Sequence, residues 1–351
     1  MASPTSSSEP SDVRTESASS PLSSNGVIGE PELAGIPARG TGIVPLGTVT
    51  TGSAIVRTGR ILLAPLPNVK PKVWQYTEEQ EAKTEELRAY AKTLMLPETD
   101  AYYPNEEKWL EDPGCAARYM RASKWRLEEA KRRIKGTLEW RREYKPDIIP
   151  ADEVKEEALT GKIILNGFDN EGRPIMYLRP GMENTKESPR QIRHLVFHIE
   201  RAIDLMPSGQ ESMACLVDYN STTLRNSPSI SNGRKFLSIV QNHYVERLGK
   251  AIVVNLPALL NFFFKGISPF LDPVTRDKVR KFNPNLLDLF PANQLDASLP
   301  GGEYQYEYDH EIYWSMLCKR CGIRPDGSRC EPSTIEGPEI EVVTSSPMLQ
   351  P

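Results

Sequence analysis

The pattern of hydrophobic and polar positions divides the chain into a helical part followed by alternating strands and helices. Apolar residues recur at helical spacing among charged ones over 78–94 and 127–144, with a shorter predicted helix at 113–122. Beyond Pro150, the pattern predicts strands at 163–165, 175–177, 215–218 and 251–255, and helices at 189–205, 230–243 and 311–321. Alternation of this kind predicts an α/β fold with a mainly parallel sheet.

Three of these strands have more specific signals. The segment 166–174 contains Gly167, Gly172 and several Asp or Asn residues, so the strands on either side of it are predicted to form a hairpin. The run Ala-Ile-Val-Val at 251–254 is apolar on both faces, which is typical of a central strand in a sheet covered on both sides.

The segment that follows the last strand is unusually apolar. Its hydrophobic side chains surround nearly the whole helical circumference: Leu256, Ala258, Leu259, Leu260, Phe262, Phe263, Phe264, Ile267, Phe270 and Leu271. It is shorter than the roughly 20 apolar residues that cross a bilayer. Two interpretations remain, an ordinary buried helix or a movable cover over a lipid-sized cavity.

Composition sets the limits of the folded part. The first 70 of the 351 residues are rich in Ser, Pro and Gly without any aromatic residue, and the C-terminal segment is acidic and unpatterned. We therefore expect disordered tails at 1–70 and 323–351, a helical domain at 71–148 and an α/β domain at 149–322. The net charge of −4 gives no general attraction to nucleic acid. The sequence has neither a signal peptide nor a membrane-spanning stretch, so we expect a cytoplasmic protein.

Catalytic and metal-binding signatures are missing. There is no nucleophile elbow, zinc-protease helix or phosphate-binding glycine loop, which disfavours a hydrolase or dehydrogenase. Cys318 and Cys321 lack the second ligand pair that a structural zinc site requires. The sequence thus predicts a protein without enzymatic activity, metal or cofactor.

A phosphate site is one interpretation of the segment 272–278. Asp272 and Pro273 suit the start of a helix, which places Thr275 and Lys278 on one face beside free backbone N–H groups. A solvated helix start is the alternative. Glu246, further back, is either a surface carboxylate or a partner of Arg247 or Lys250.

Six ordered motifs resemble the signatures of the fungal CRAL-TRIO phosphatidylinositol transfer proteins. They are Arg-Tyr-Met-Arg-Ala-Ser-Lys-Trp at 118–125, Asp-x-x-Gly-Arg-Pro at 169–174, Tyr-Val-Glu-Arg-Leu-Gly-Lys at 244–250, Asn-Leu-Pro at 255–257, Pro-Phe-Leu-Asp-Pro-Val-Thr at 269–275 and Leu-Pro-Gly-Gly at 299–302. The ending Tyr-Asp-His-Glu-Ile-Tyr-Trp at 308–314 is most similar to the branch linked to azole resistance, some of whose members bind sterol as well as phosphatidylinositol.

This resemblance implies a small helical N-terminal domain and a CRAL-TRIO lipid-binding domain with a gate helix, and it favours the movable cover for the apolar segment. It assigns the lipid headgroup to Glu246, Thr275, Lys278 and Lys124. It assigns the gate and pocket to Leu259, Phe262, Phe263, Phe264, Phe270 and Tyr177. Ser123 departs from an arginine found in better-known relatives, and Val245 replaces a common proline.

The function that the resemblance implies is lipid transport without catalysis. We expect a cytoplasmic protein that touches membranes transiently and exchanges phosphatidylinositol, with a sterol or another lipid as second ligand, between them. The alternative is a lipid-sensing scaffold that presents phosphatidylinositol to a lipid kinase.

Overall fold

The predicted segments 78–94 and 127–144 are helical in the first part of the chain. The computed structural model describes residues 58–223, 226, 229–258, 266, 268–270, 279–281 and 285–332. Its first helices are α1 (Glu78–Thr93), α2 (Tyr103–Glu111), α3 (Cys115–Ala122) and α4 (Leu127–Tyr144). They share a hydrophobic cluster that includes Leu87, Leu110, Met120, Ile134 and Leu138. Burial of these apolar side chains is the main force that holds short helices of this kind together.

Local sequence explains where these helices begin. At the start of α1, the Thr77 hydroxyl accepts from the Gln80 backbone N–H, and the Gln80 side chain accepts from the Thr77 N–H, which forms a capping box. α3 begins at Cys115 and not at Pro113 as its sequence predicted. The reason is that Asp112 ends α2 and uses its carboxylate to bind Gly114 and Arg118.

A five-stranded sheet forms the centre of the second part. Its strands are β1 (Ile163–Phe168), β2 (Pro174–Leu178), β3 (Met213–Asp218), β4 (Leu248–Val254) and β5 (Val279–Lys281). They lie side by side in sequence order. β1 and β2 form the predicted antiparallel hairpin, while β2, β3, β4 and β5 are parallel. The predicted α/β fold is therefore confirmed.

Helices cover the sheet and join its strands. α5 (Ala151–Ala158) precedes the hairpin, α6 (Pro189–Asp204) connects β2 to β3, α7 (Ile230–His243) connects β3 to β4, and α8 (His310–Arg320) follows the sheet. α6 contributes a run of buried residues, Leu195, Val196, Phe197, Ile199 and Ala202, to the main core. In α7, by contrast, every residue keeps part of its surface accessible. Among the described residues, no helix is long and apolar enough to cross a membrane.

Candidate functional site

An apolar cavity of about 300 Å³ lies between the sheet and the helices α6 and α7. Side chains from alternate strand positions form one wall: Met176, Leu178, Cys215, Val217, Ala251 and Val253. The two helices form the other wall with Ile192, Leu195, Ile199, Phe236, Leu237 and Val240. A space lined in this way favours hydrocarbon over water. It also explains why α7, which faces the cavity, has no fully buried residue.

The structure corrects the expected position of Tyr177. Successive side chains of a strand point to opposite faces of a sheet, and the neighbours Met176 and Leu178 both line the cavity. The Tyr177 ring is therefore buried on the other face, where its hydroxyl lies 3.4 Å from the backbone nitrogen of Asp296. It belongs to the core on that side and does not line this cavity.

Polar groups occur at both ends of the cavity. Tyr244 and Arg247 lie at one end, close to the start of β4. Lys162, Gln191 and His194 lie at the other end, close to the start of α6. The cavity therefore has an apolar middle and two polar ends, an arrangement suited to an amphiphilic ligand.

Glu246, next to the Tyr244 end, is held by an arginine from the helical part. The Arg121 Nε donates a 2.6 Å hydrogen bond to the Glu246 Oε2, and the same guanidinium also binds Glu211 and the Tyr76 hydroxyl. Burial lowers the pKa of Arg121, but the charges of Glu211 and Glu246 outweigh this effect and raise it. Glu246 has a backbone φ of 57°, in the region that favours glycine, so its side chain is aimed by an uncommon backbone conformation.

The basic neighbours of Glu246 along the chain have other partners, so the alternative in which Glu246 pairs with Arg247 or Lys250 is wrong. Arg247 donates a 2.7 Å hydrogen bond to Asp112, and Lys250 lies 2.7 Å from Glu171 and 3.5 Å from Asp169. Burial and the nearby charge of Arg118 lower the pKa of Arg247 to about 10, which leaves it protonated at neutral pH.

A buried hydrogen-bonded chain continues from Tyr244 into the helical part. The Tyr244 hydroxyl donates to Glu200 at 2.7 Å, and Arg141 of α4 lies 3.1 Å from both Glu200 and Asp147. Burial raises the pKa of the Glu200 carboxyl, yet Arg141 and Tyr244 outweigh it and lower that pKa. The end of the cavity near Glu246 is thus fixed by charges from both parts of the fold.

The remaining predicted residues are spread over described and undescribed parts of the chain. Lys124 is exposed at the end of α3, with a positive φ of 51°. Phe270 is 43% exposed, and the Arg234 guanidinium carbon lies 4.1 Å from its ring centroid. The other gate, pocket and headgroup candidates lie outside the described residues: Leu259, Phe262, Phe263, Phe264, Thr275 and Lys278.

Sequence reasoning missed Arg121 as the partner of Glu246, and Glu211 as the second carboxylate that this arginine binds. Arg121 lies within the basic motif 118–125, three positions after Arg118, so one turn of helix carries two guanidinium groups on one side. That spacing could have predicted that these two arginines bind acidic side chains. Nothing local to Glu211 or Glu246 indicates which arginine each would meet.

Comparison with known proteins gives consistent matches. Residues 159–301 match a family model described as CRAL/TRIO domain. A CRAL-TRIO domain-containing protein of Schizosaccharomyces pombe is 45% identical over 263 residues, which cover 72% of this chain and 26% of that protein. Phosphatidylinositol transfer protein PDR17 of Saccharomyces cerevisiae is 38% identical over 227 residues, covering 61% of this chain and 64% of that protein. The crystal structure of Sfh5 is similar with a TM-score of 0.48 and 20% identity, covering 60% of this chain and 82% of that one.

The family model and the two sequence relatives agree with the family that the motifs indicated. The matched region spans about a quarter of the length of the Schizosaccharomyces pombe relative and just under two thirds of the length of PDR17. The matched domain residues contain β1 to β5 and the cavity between α6 and α7. Assignment to the branch linked to azole resistance stays a prediction. Residues 159–301 therefore form a CRAL/TRIO domain.

Proposed function

We propose that this protein transfers phosphatidylinositol between membranes by enclosing the acyl chains of one lipid in the cavity between the sheet and the helices α6 and α7. The cavity carries the proposal, because its walls are apolar and its Tyr244 end adjoins the ion pair of Glu246 and Arg121. The name of the relative PDR17, a phosphatidylinositol transfer protein, supports the choice of lipid.

The energetics of transfer require both parts of this site. Hiding acyl chains from water is worth about 0.8 kcal/mol per buried methylene group, so an apolar enclosure provides most of the binding free energy. A charged headgroup in the same site costs free energy unless hydrogen-bond donors and acceptors replace its water. We assign that role to Glu246, Lys124, Thr275 and Lys278, with Arg121 orienting Glu246.

Exchange further requires the cavity to open. We propose that the apolar segment with Leu259, Phe262, Phe263, Phe264 and Phe270 acts as a gate. In water it covers the cavity, and on a membrane it opens and contacts membrane lipids instead. In this proposal the protein works in the cytoplasm, touches membranes only transiently, performs no catalysis and takes a sterol or another lipid as second cargo. The helical domain at 71–148 supplies Arg121, and the CRAL-TRIO domain at 149–322 supplies the cavity.

A transfer assay between vesicles tests the headgroup assignment. Donor vesicles contain labelled phosphatidylinositol in phosphatidylcholine, and acceptor vesicles contain phosphatidylcholine alone. The variant Glu246→Gln keeps the shape of the side chain but removes its charge, so we expect transfer of phosphatidylinositol to fall about tenfold or more, in line with the loss of one charge-assisted hydrogen bond.

Glu211→Gln is the matched control. Glu211 and Glu246 both pair with Arg121, and their side chains have similar exposure, 18% and 21%. If Glu246 acts only through Arg121, the two variants lose transfer equally and the headgroup assignment is wrong. If the unaltered protein moves no phosphatidylinositol, the proposed function itself fails.

A further inference from the structure

Positive charge is concentrated in the segment 225–281, which contains α7, β4 and β5. This segment has ten Lys or Arg residues and three Asp or Glu residues, so its net charge is +7, whereas the whole chain carries −4. The rest of the chain therefore carries −11. The small net charge of the chain thus results from two large and opposite contributions, and such a separation orients a molecule in the field of a charged partner.

Two basic residues of this segment are available to a partner. Arg234 and Lys235 are exposed in α7, a helix that contains no Asp or Glu. Neither forms an ion pair with another described residue. Arg247 and Lys250, by contrast, pair with acidic side chains of other elements. The outer face of α7 is therefore basic and lacks a neutralising charge of its own.

Two exposed apolar side chains lie beside these cations. Ile230 is 38% exposed, and it shares a helix face with Arg234, which follows it by four residues. The exposed Phe270 packs its ring against the Arg234 guanidinium, and its backbone carbonyl accepts a 2.9 Å hydrogen bond from the Gln241 side chain. Apolar and basic side chains therefore alternate on one surface.

A bilayer that contains anionic lipids fits this combination of side chains. Anionic headgroups attract Lys and Arg close to the surface, and the attraction falls off within a Debye length, so the acidic remainder of the chain opposes it only weakly. Exposed Ile and Phe side chains gain from burial at the boundary between headgroups and acyl chains. Nucleic acid would use the cations through its phosphates, but it offers no comparable partner for Ile230.

This surface lies on the outside of a cavity wall. Phe236, Leu237 and Val240 of α7 line the cavity, and Arg234 and Lys235 of the same helix are exposed. A membrane in contact with the outer face of α7 is therefore separated from the cavity by a single helix.

We propose that the outer face of α7, with Ile230, Arg234, Lys235 and Phe270, is a docking surface for membranes that contain anionic lipids. The excess of negative charge in the rest of the chain turns that part away from the bilayer and so fixes the orientation of the protein. The inference rests on the proposed function in that it names the membrane partner of this cavity wall, but it does not depend on which lipid the cavity holds.

Binding to vesicles without phosphatidylinositol tests the docking surface. The full chain is sedimented with vesicles of phosphatidylcholine alone or with about one third phosphatidylserine, at about 50 mM and about 500 mM sodium chloride. We expect the unaltered protein to bind the vesicles with phosphatidylserine roughly tenfold or more tightly at low salt, since each cation at such a surface contributes roughly fivefold. The preference should disappear at high salt, because salt screens the attraction.

The variant Arg234→Glu/Lys235→Glu should lose the preference at low salt. Its matched control is Lys92→Glu/Lys108→Glu, which changes the net charge equally at two exposed lysines of α1 and α2. We expect the control variant to keep the preference, because its charges lie outside the docking surface. Circular dichroism of both variants verifies that they are folded.

Three results would overturn the proposal. They are equal binding of the unaltered protein to both kinds of vesicle, equal losses in the two variants, and release of the protein from the vesicles by a DNA duplex, which would identify nucleic acid as the better partner. Salt-sensitive binding by a protein that transfers no phosphatidylinositol would support the docking surface and reject the proposed function. Normal transfer by a protein that is indifferent to phosphatidylserine would reject the docking surface alone.

Discussion

Arg121 and Glu246 form a 2.6 Å ion pair across 125 positions of the chain. The pair joins the end of α3 to a residue two positions before β4, and the same guanidinium also binds Glu211 and Tyr76 and stacks on Trp74 at 3.9 Å. One side chain thus connects the helical part, the segment 74–76 and the proposed headgroup position.

Removal of Arg121 should destabilise the fold strongly. Arg121→Ala leaves two carboxylates without their cation in a site where the arginine side chain is only 8% exposed. We expect the free energy of unfolding to fall by about 3 kcal/mol, as is usual when one partner of a buried pair is removed. Urea unfolding followed by circular dichroism measures this change.

The control for this prediction is Arg132→Ala. Arg132 pairs with Glu129 on the exposed surface of α4, and such pairs contribute little to stability. Equal losses in the two variants would contradict the role assigned to Arg121.

Asp112 should make stability depend on pH in the acid range. Burial raises the pKa of Asp112, but Arg118 and Arg247, each 2.7 Å away, outweigh it and lower the pKa to about 2. Because the folded pKa lies below the unfolded one, this stabilisation is complete above about pH 4 and is lost as the pH falls towards 2. We expect a loss of about 2 kcal/mol over that window, measured by urea unfolding. The free energies of unfolding of Asp112→Asn and of the unaltered protein should become more similar at low pH. A difference that stays the same at every pH would refute the prediction.

His198 should weaken the fold between pH 7 and pH 5. Burial lowers its pKa to about 4, and its ring nitrogens contact the Tyr313 hydroxyl and the His194 carbonyl. The unfolded chain takes up a proton near pH 6.5 while the folded one does not, so stability falls as the pH drops below that value. At pH 5, we expect His198 to lower the free energy of unfolding by about 2 kcal/mol.

The check is the urea midpoint of His198→Gln at both pH values. Glutamine cannot titrate, so the variant should lose less stability on acidification than the unaltered protein. An identical pH dependence would show that His198 is not the responsible group.

Filling the cavity should reduce lipid uptake without unfolding the protein. Ala251 lies in β4 with its side chain on the cavity wall, so Ala251→Phe occupies space that the acyl chains would need. We expect several-fold less phosphatidylinositol to co-purify with the variant, measured by mass spectrometry, and an intermediate amount with Ala251→Val. Unchanged lipid content in a folded Ala251→Phe variant would place the ligand elsewhere.

Much of the fold could be predicted because its signals are local. The bounds of α4 and α7 match the periodic segments 127–144 and 230–243, and the glycine-rich turn after β1 gave the hairpin. The short helices α2 and α5 were missed, whereas α3, which is equally short, was indicated by Asp112 and Pro113 at its predicted start. β5 was missed because three residues are too few to show an alternating pattern.

The site was less accessible to sequence reasoning, because its contacts join distant parts of the chain. The partner of Glu246 is 125 residues away along the chain. No local pattern shows that Glu246 pairs with Arg121 and not with Arg247, its neighbour in the sequence. Tyr177 was placed in the pocket by resemblance, whereas its register in β2 turns it to the other face. Such pairings depend on how the helices and strands pack together. That packing cannot be read from short stretches of a single sequence.

The carboxyl end of α7 is tied to α4 by three contacts. Arg133 donates to the Gln241 carbonyl at 3.1 Å, Thr137 donates to the Asn242 carbonyl at 3.2 Å, and the Trp140 ring lies parallel to that of His243 at 4.3 Å. These bonds use carbonyls that a helix end otherwise leaves free. At the other end of the helix, the Asn232 amide donates one hydrogen bond to the Gln191 side chain of α6 at 3.1 Å. A movement of α7 that widens the cavity therefore has to break that single bond, and it turns about the three contacts with α4, so the hinge lies in the helical part and not in the sheet.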